Sequence, residues 1–264
     1  VKGTDYTLVP KENGKGFDIT FIGKYKTTNH KFTLTYDTRY EALENDTNKY
    51  SNTASLSWTG SDNKPHTSTD GKEYTAPVES QSNGSKSGSY NSITKEITWT
   101  IHANYNRVDL KNAKITDKIP YTNNSNNNQK FIPNSVNVYH YSVDKKGVIV
   151  KGAALKPEEF KVTEPNASNN YTVEVELLKD FTGKDASIGM DFKTSLDGLV
   201  IGGEYKNTAT YTNDGKDFPL DATVQVGFGG SLVTKSGQQN GDNIDWTIGL
   251  NNSQSTISGY KIID

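Results

Sequence analysis

Apolar side chains recur at every second position through several stretches of the chain. Residues 93–103 alternate about Ile97, Trp99 and Ile101, and residues 131–141 alternate Val136 and Val138 with their neighbours. The same pattern runs through 171–177, 186–192, 205–211 and 222–226. A period of two belongs to a strand with one buried face. Turn signals separate the runs, among them Asn83-Gly84 and Asn213-Asp214-Gly215-Lys216. The longest helical pattern is the short piece at 156–160. Many short strands with so little helix predict an all-β fold, an immunoglobulin-like (Greek-key) β-sandwich. The Asn- and Ser-rich run 122–129 reads as a solvated spacer at one end of it.

The pattern also repeats. Lys86-Ser87-Gly88 precedes Ile97-Thr98-Trp99-Thr100-Ile101, and Lys235-Ser236-Gly237 precedes Ile244-Asp245-Trp246-Thr247-Ile248. Both blocks lead on to an Ile-x-Asp, at Ile115-Thr116-Asp117 and at Ile262-Ile263-Asp264. A second marker is an aromatic two places before Asn-Thr-Ala, at Tyr50 to Ala54 and at Tyr205 to Ala209. The Lys markers stand 149 residues apart (86 to 235) and the Asn markers 155 (52 to 207). Two independent markers near one period predict domains in tandem. In that frame residues 1–78 are the C-terminal part of one repeat, 79–226 a complete domain and 227–264 the N-terminal part of a third. The alignment sets Tyr6 opposite Phe160 and Phe32-Thr33-Leu34 opposite Ile188-Gly189-Met190.

Composition narrows the picture. The chain has 264 residues, 32% hydrophobic, with a mean hydropathy of −0.75, so its core must be thin, as between two sheets. The net charge of −2, with Lys and Asp/Glu interspersed, offers no footprint for nucleic acid. No apolar run reaches the length of a membrane span. Val1 at the start and a single Met suggest a piece of a longer protein. Cysteine is absent, which excludes disulfides and thiolate chemistry. His30, His66, His102 and His140 are scattered without ligand spacing, so no metal is expected. No cofactor motif is present, and neither a nucleophile elbow nor a phosphate loop marks a turnover enzyme.

What alternation does not explain is a polar residue repeated at the same point of each unit. Lys86 begins the first strand of the complete domain, Asp117 ends a later one, and Asn207 lies in the penultimate one. Taken singly, each is an ordinary strand or turn residue. Taken together, and recurring as Asn52, Lys235 and Asp264, they suit one reaction. A Lys amine can attack an Asn carboxamide beside a protonated carboxyl group, forming an amide and releasing ammonia. The amine must be neutral and the acid protonated, and burial favours both forms. If the first and penultimate strands lie side by side, Lys86 and Asn207 meet under Asp117, with Trp99 and Tyr205 as dry walls.

These residues resemble the isopeptide-forming domains of Gram-positive surface adhesins of the collagen-adhesin A-region type. The resemblance rests on Lys86-Ser87-Gly88, Trp99-Thr100-Ile101, Ile115-Thr116-Asp117-Lys118-Ile119-Pro120, Phe131-Ile132-Pro133-Asn134-Ser135-Val136 and Tyr205-Lys206-Asn207-Thr208-Ala209. It implies a spontaneous cross-link between Lys86 and Asn207 with Asp117 catalytic. In the flanks it implies half-sites: Asn52 as an acceptor, and Lys235 with Asp264 as donor and catalyst. It further implies an extracellular, cell-wall-anchored protein at the bacterial surface, a stalk segment contacting neighbouring repeats of its own chain. The alternative is a module that binds a host extracellular-matrix protein such as collagen. Head-to-tail joining of copies through the two half-sites is a minor alternative, weighed down by the missing counterpart of residues 118–155.

Overall fold

The computed structural model describes residues 1–12, 14–38, 49–120 and 128–264. The chain divides into two compact units, Val1–Tyr40 and Glu41–Asp264. In the first, β1 (Tyr6–Pro10) and β2 (Phe17–Phe21) form an antiparallel hairpin. Aromatic contacts line it: Phe17 meets Tyr36 edge-on at 4.9 Å between ring centres, and Phe21 stacks on Phe32 at 4.7 Å.

The second unit opens with a hairpin of β3 (Lys49–Thr59) and β4 (Pro65–Thr75), followed by a four-residue helix, α1 (Val78–Gln81). The sandwich strands then follow in order. They are β5 (Gly84–Asn91), β6 (Glu96–Ala103), β7 (Lys114–Lys118), β8 (Lys130–Phe131), β9 (Asn137–Val143) and β10 (Ile149–Ala154). After these come β11 (Phe160–Thr163), β12 (Thr172–Leu177), β13 (Ile188–Ser195), β14 (Glu204–Asn213) and β15 (Lys216–Gln225). A last hairpin joins β16 (Val233–Asn240) to β17 (Asn243–Leu250).

Two sheets carry the sandwich. One has the order β10-β9-β13-β6-β5, with β8 beside β13; the other runs β11-β12-β7-β14-β15. The chain crosses between them after β6, β7, β10, β12 and β13, so strands adjacent in a sheet are mostly distant in sequence. This is the all-β immunoglobulin-like sandwich that the alternation predicts. Its core interleaves Ile97, Trp99, Ile101, Met190 and Phe192 of the first sheet with Ile115, Val173, Val175, Tyr205 and Tyr211 of the second. Each fully buried aromatic among them contributes on the order of 3 kcal/mol of hydrophobic stabilisation.

Three strand boundaries differ from the alternation. The run 131–141 is split into β8 and β9, because Ile132-Pro133-Asn134 turns away and Asn134 is left-handed, with φ 59°. The run 222–226 is only the end of β15, whose first half holds Pro219; a proline cannot donate to a ladder, and β15 is an edge strand where none is required. At 156–160 a 3-10 turn, Pro157–Glu159, replaces the helix and leads into β11.

The repeated sequence markers pair in similar registers in four hairpins. In β5–β6, Lys86 pairs with Ile101 and Gly88 with Trp99; in β16–β17, Lys235 pairs with Ile248 and Gly237 with Trp246. Likewise β3–β4 pairs Tyr50 with Tyr74 and Asn52 with Lys72, where β14–β15 pairs Tyr205 with Val224 and Asn207 with Ala222. The aligned pair Tyr6 and Phe160 open β1 and β11, each the first strand of a hairpin, whereas Phe32-Thr33-Leu34 lies outside any strand.

Candidate functional site

The site is built from three strands. β5 is an edge strand of the first sheet that packs against β15, the edge of the second. Glycine permits that approach: a Cβ on Gly88 would stand 2.4 Å from Val224 Cγ2 and 2.7 Å from the Trp99 ring. The inward face of β5 therefore delivers Lys86 into the gap between the sheets. β5 and β14 belong to opposite sheets, so Lys86 reaches its partners across the core rather than along one sheet.

Asp117 lies on β7 in the middle of the second sheet, opposite Ala209 of β14. Asn207 stands two residues before Ala209, hence on the same inward face and diagonal to Asp117. The Lys86 amine donates to Asp117 Oδ2, and neither side chain is exposed to solvent. Its Nζ lies 5.3 Å from the centre of the Trp99 ring and 6.0 Å from that of Phe192. Tyr205, on the inward face two residues before Asn207, is fully buried.

Burial controls the electrostatics. Desolvation holds the Lys86 amine below its ordinary range, against the charges of Asp117 and Asp221, which favour the ammonium form. Desolvation raises the Asp117 carboxyl, against the opposing influence of Lys86 and a lesser one from Asn207. Both directions favour the neutral pair, amine and carboxylic acid, over the ion pair. Asn207 acts on Asp117 only in a geometry too poor for a hydrogen bond: Asp117 Oδ1 and both Asn207 amide atoms are buried without one. An unsatisfied buried polar group costs about 1–3 kcal/mol, so three in one cluster mark a place where something other than packing is served.

One participant carries no sequence signal. Gln129, the last residue of the Asn-rich run, is fully buried rather than part of a solvated spacer; residues 122–127 of that run lie outside the described residues. Its Oε1 accepts from Trp99 Nε1 at 3.0 Å and from Thr194 Oγ1 at 2.7 Å, and Trp99 Nε1 also lies 3.2 Å from Thr194 Oγ1. These bonds fix the indole that lies beside Lys86. Phe192 was also missed as a wall, though its pairing with Trp99 across β6 and β13 follows once the register is known.

The structure thus brings Lys86, Asp117 and Asn207 into one dry cluster. The other three residues lie elsewhere. Asn52 is exposed on β3. Lys235 donates to Asp264, with the side chains 40% and 60% exposed, and its Nζ is 4.9 Å from the centre of the Trp246 ring. Among the described residues no three His, Asp or Glu side chains gather as a metal site, and no helix is long and apolar enough to cross a membrane.

The family model described as the collagen binding domain matches residues 81–218, just over half of the chain and all three members of the cluster. The chain belongs to the collagen binding domain family. No curated protein sequence matches it. Among solved structures, the chain is similar to the collagen binding subdomain of the Enterococcus faecalis surface protein ACE, at 12% identity over 54% of this chain and 95% of that one, with a TM-score of 0.37. The collagen adhesin from S. aureus aligns at 13% identity over 93% of this chain and 78% of that one, TM-score 0.35. Domains D2 and D3 of the major pilin SpaD from Corynebacterium diphtheriae align at 15% identity over 61% and 56%, TM-score 0.36.

Proposed function

We propose that the chain is a module of a Gram-positive surface adhesin whose central sandwich is locked by a Lys86–Asn207 isopeptide bond. The observation that carries the reading is the solvent-free contact of Lys86 with Asp117 beside a buried carboxamide that makes no hydrogen bond. In the neutral pair the Lys86 proton resides on Asp117. The free Nζ attacks Asn207 Cγ while Asp117 donates its proton to the carbonyl oxygen. The Nζ–Cγ bond forms, Asp117 carries a proton from Nζ to the departing ammonia, and as the Cγ–Nδ2 bond breaks the carbonyl oxygen returns its proton to Asp117. Trp99, Phe192 and Tyr205 exclude the water that would otherwise protonate the amine. The reaction runs once per chain and leaves Asp117 unchanged, so it is maturation rather than turnover.

Such a bond ties the first strand of the sandwich to the penultimate one, making the domain from about 79 to 226 a rigid link in a tandem stalk at the cell surface. Intact mass tests the chemistry: loss of ammonia leaves the chain about 17 Da light, and Lys86→Ala restores the full mass. A full-mass wild-type chain overturns the reading.

A second reading has its own support in the family match. The sandwich also serves as a binding module for a collagen-like extracellular-matrix ligand. Saturable binding of the 264-residue chain to immobilised collagen supports that role, and its absence leaves the stalk alone.

A further inference from the structure

The turn that leaves the sandwich has the composition of a loose tether. Gly227-Phe228-Gly229-Gly230 lies between β15 and β16, and a glycine-rich linker ordinarily swings freely. Here it is closed by hydrogen bonds. Gly229 N–H donates to Val226 O at 3.0 Å and Ser231 N–H to Phe228 O at 2.9 Å, so two turns follow one another. Phe228 lies between them in the left-handed region, with φ 61°, where a bulky side chain is strained. Strain of that kind persists only where the surrounding contacts impose it.

Those contacts come from the loop between β13 and β14. Gly230 N–H donates to Ile201 O at 2.7 Å, and a Cβ on Gly229 would stand 2.0 Å from Gly202 O, so only glycine permits that approach. The stretch after β17 returns to the same loop. Thr256 N–H donates to Leu199 O at 2.9 Å, and Ile201 N–H donates to Ser255 Oγ at 2.7 Å. Ile201 and Ser255 are both buried. The serine is itself held in place: its hydroxyl shares a hydrogen bond with Ser253 Oγ at 2.8 Å. The Asn251 carboxamide accepts from Ser255 N–H at 2.9 Å and donates to Ser255 O at 2.8 Å. From the sandwich side the loop is pinned by Tyr205, whose phenol oxygen accepts from Gly202 N–H at 2.9 Å.

We propose that these contacts form a stiff joint: the 199–203 loop seats residues 251–256, with the Ser255 hydroxyl as its pin, and holds β16–β17 in one orientation on the sandwich. Successive parts of a chain move relative to each other by default. Here the contact between them is made of buried hydrogen bonds. Without the Ser255 hydroxyl, Ile201 N–H is buried with no acceptor, so partial release is unfavourable and the joint opens as a unit. A pull on the segment after the sandwich then reaches the 199–203 loop with no swivel between, and through Tyr205 it reaches the core. The inference stands apart from the cross-link, since none of these hydrogen bonds involves Lys86, Asp117 or Asn207.

A distance measurement between two spin labels tests this on the whole chain, which has no native cysteine to interfere. Thr94→Cys and Asp242→Cys put the labels on exposed turns. The first lies at the end of the sandwich that carries the joint, where Leu196 N–H donates to Lys95 O, and the second at the tip of β16–β17. One narrow distance is expected in the labelled chain and in Ser255→Thr, which keeps the hydroxyl. Ser255→Ala and Gly229→Val should each give a broad distribution. Amide hydrogen exchange adds a second readout. In Ser255→Ala, Ile201, Gly230 and Thr256 should exchange faster together, by about tenfold or more, while Trp99 and Val175 in the core keep their protection. A broad distribution in the labelled chain without further substitution overturns the proposal. So does a narrow one in both Ser255→Ala and Gly229→Val, or faster exchange confined to Ile201, since each shows that the contact does not set the orientation. If one variant loses its core protection, the other variant and the starting distance still decide.

Discussion

Asn207→Ala removes the acceptor while keeping the buried Lys86–Asp117 contact, so it isolates what the cross-link contributes. The proposed bond would close a loop of 121 residues, from 86 to 207. By the chain-entropy relation used for disulfides, a loop of that size withholds about 16 cal/mol/K from the unfolded ensemble, or about 5 kcal/mol at 25 °C. The carboxamide contributes no hydrogen bond that the variant would lose. For a domain of this size each kcal/mol moves the midpoint by about 2–4 °C, so the sandwich transition should fall by about 10–20 °C in calorimetry. Pulling on the chain ends gives a second magnitude. In the wild type residues 86–207 cannot extend, whereas in the variant they add about 400 Å of contour length at about 3.3–3.6 Å per residue. A variant that melts within a few degrees of the wild type, or unfolds under force with the same length gain, would refute the cross-link.

Two further substitutions probe the neighbours of the bond. Asp117→Ala should abolish the mass loss and leave Lys86 buried without its carboxylate. Burial holds the folded amine below its unfolded value, so between the two the unfolded chain binds the extra proton and stability rises with pH. From pH 7 to 9 the gain in denaturant unfolding should approach, at most, about 1.4 kcal/mol per pH unit, and Lys86→Met in the same background should flatten it. A flat profile in Asp117→Ala itself would show that the lysine escapes to water. Gln129→Leu deprives Trp99 and Thr194 of their shared acceptor and should cost about 1–3 kcal/mol. It should also leave a fraction of freshly made chain at full mass, because the loosened indole no longer keeps Lys86 dry. Complete reaction at unchanged stability would remove Gln129 from the site.

The sandwich was legible because its strands alternate, and alternation is written residue by residue. Pairing partners are not, which is why β8 and β9 read as one run and why Pro219 hid half of β15. The roles of Lys86, Asp117 and Asn207 were suggested by repetition, not by local chemistry. Each sits at an inward position of a strand, where a period-two reading expects an apolar residue, and a buried polar residue there is a departure that packing does not account for. Sequence could not say how the three meet. The side-by-side placement of the first and penultimate strands is not what brings them together; β5 and β14 belong to opposite sheets, β5 packs against β15, and glycines at 84 and 88 let it come close enough.

Gln129 shows where such reading stops. A glutamine at the end of an Asn-rich run has the composition of a loop, and nothing in its neighbours marks it as buried. Only the assembled sandwich shows that the chain returns there to place one carbonyl oxygen against an indole N–H and a threonine hydroxyl. That oxygen satisfies the single polar atom of the largest side chain in the core, so Trp99 can be buried completely without an unmet donor. The buried indole then forms one wall of the lysine's surroundings, and the desolvation that makes the amine reactive depends on it. A residue two strands and a loop away in sequence thereby bears on the surroundings of Lys86 through Trp99, and β16–β17 offers the internal comparison. There the same lysine-over-tryptophan contact exists with the indole open to water, and among the described residues no glutamine acceptor bonds it. In the proposed reaction the central lysine differs from Lys235 in that its tryptophan is held in a dry core.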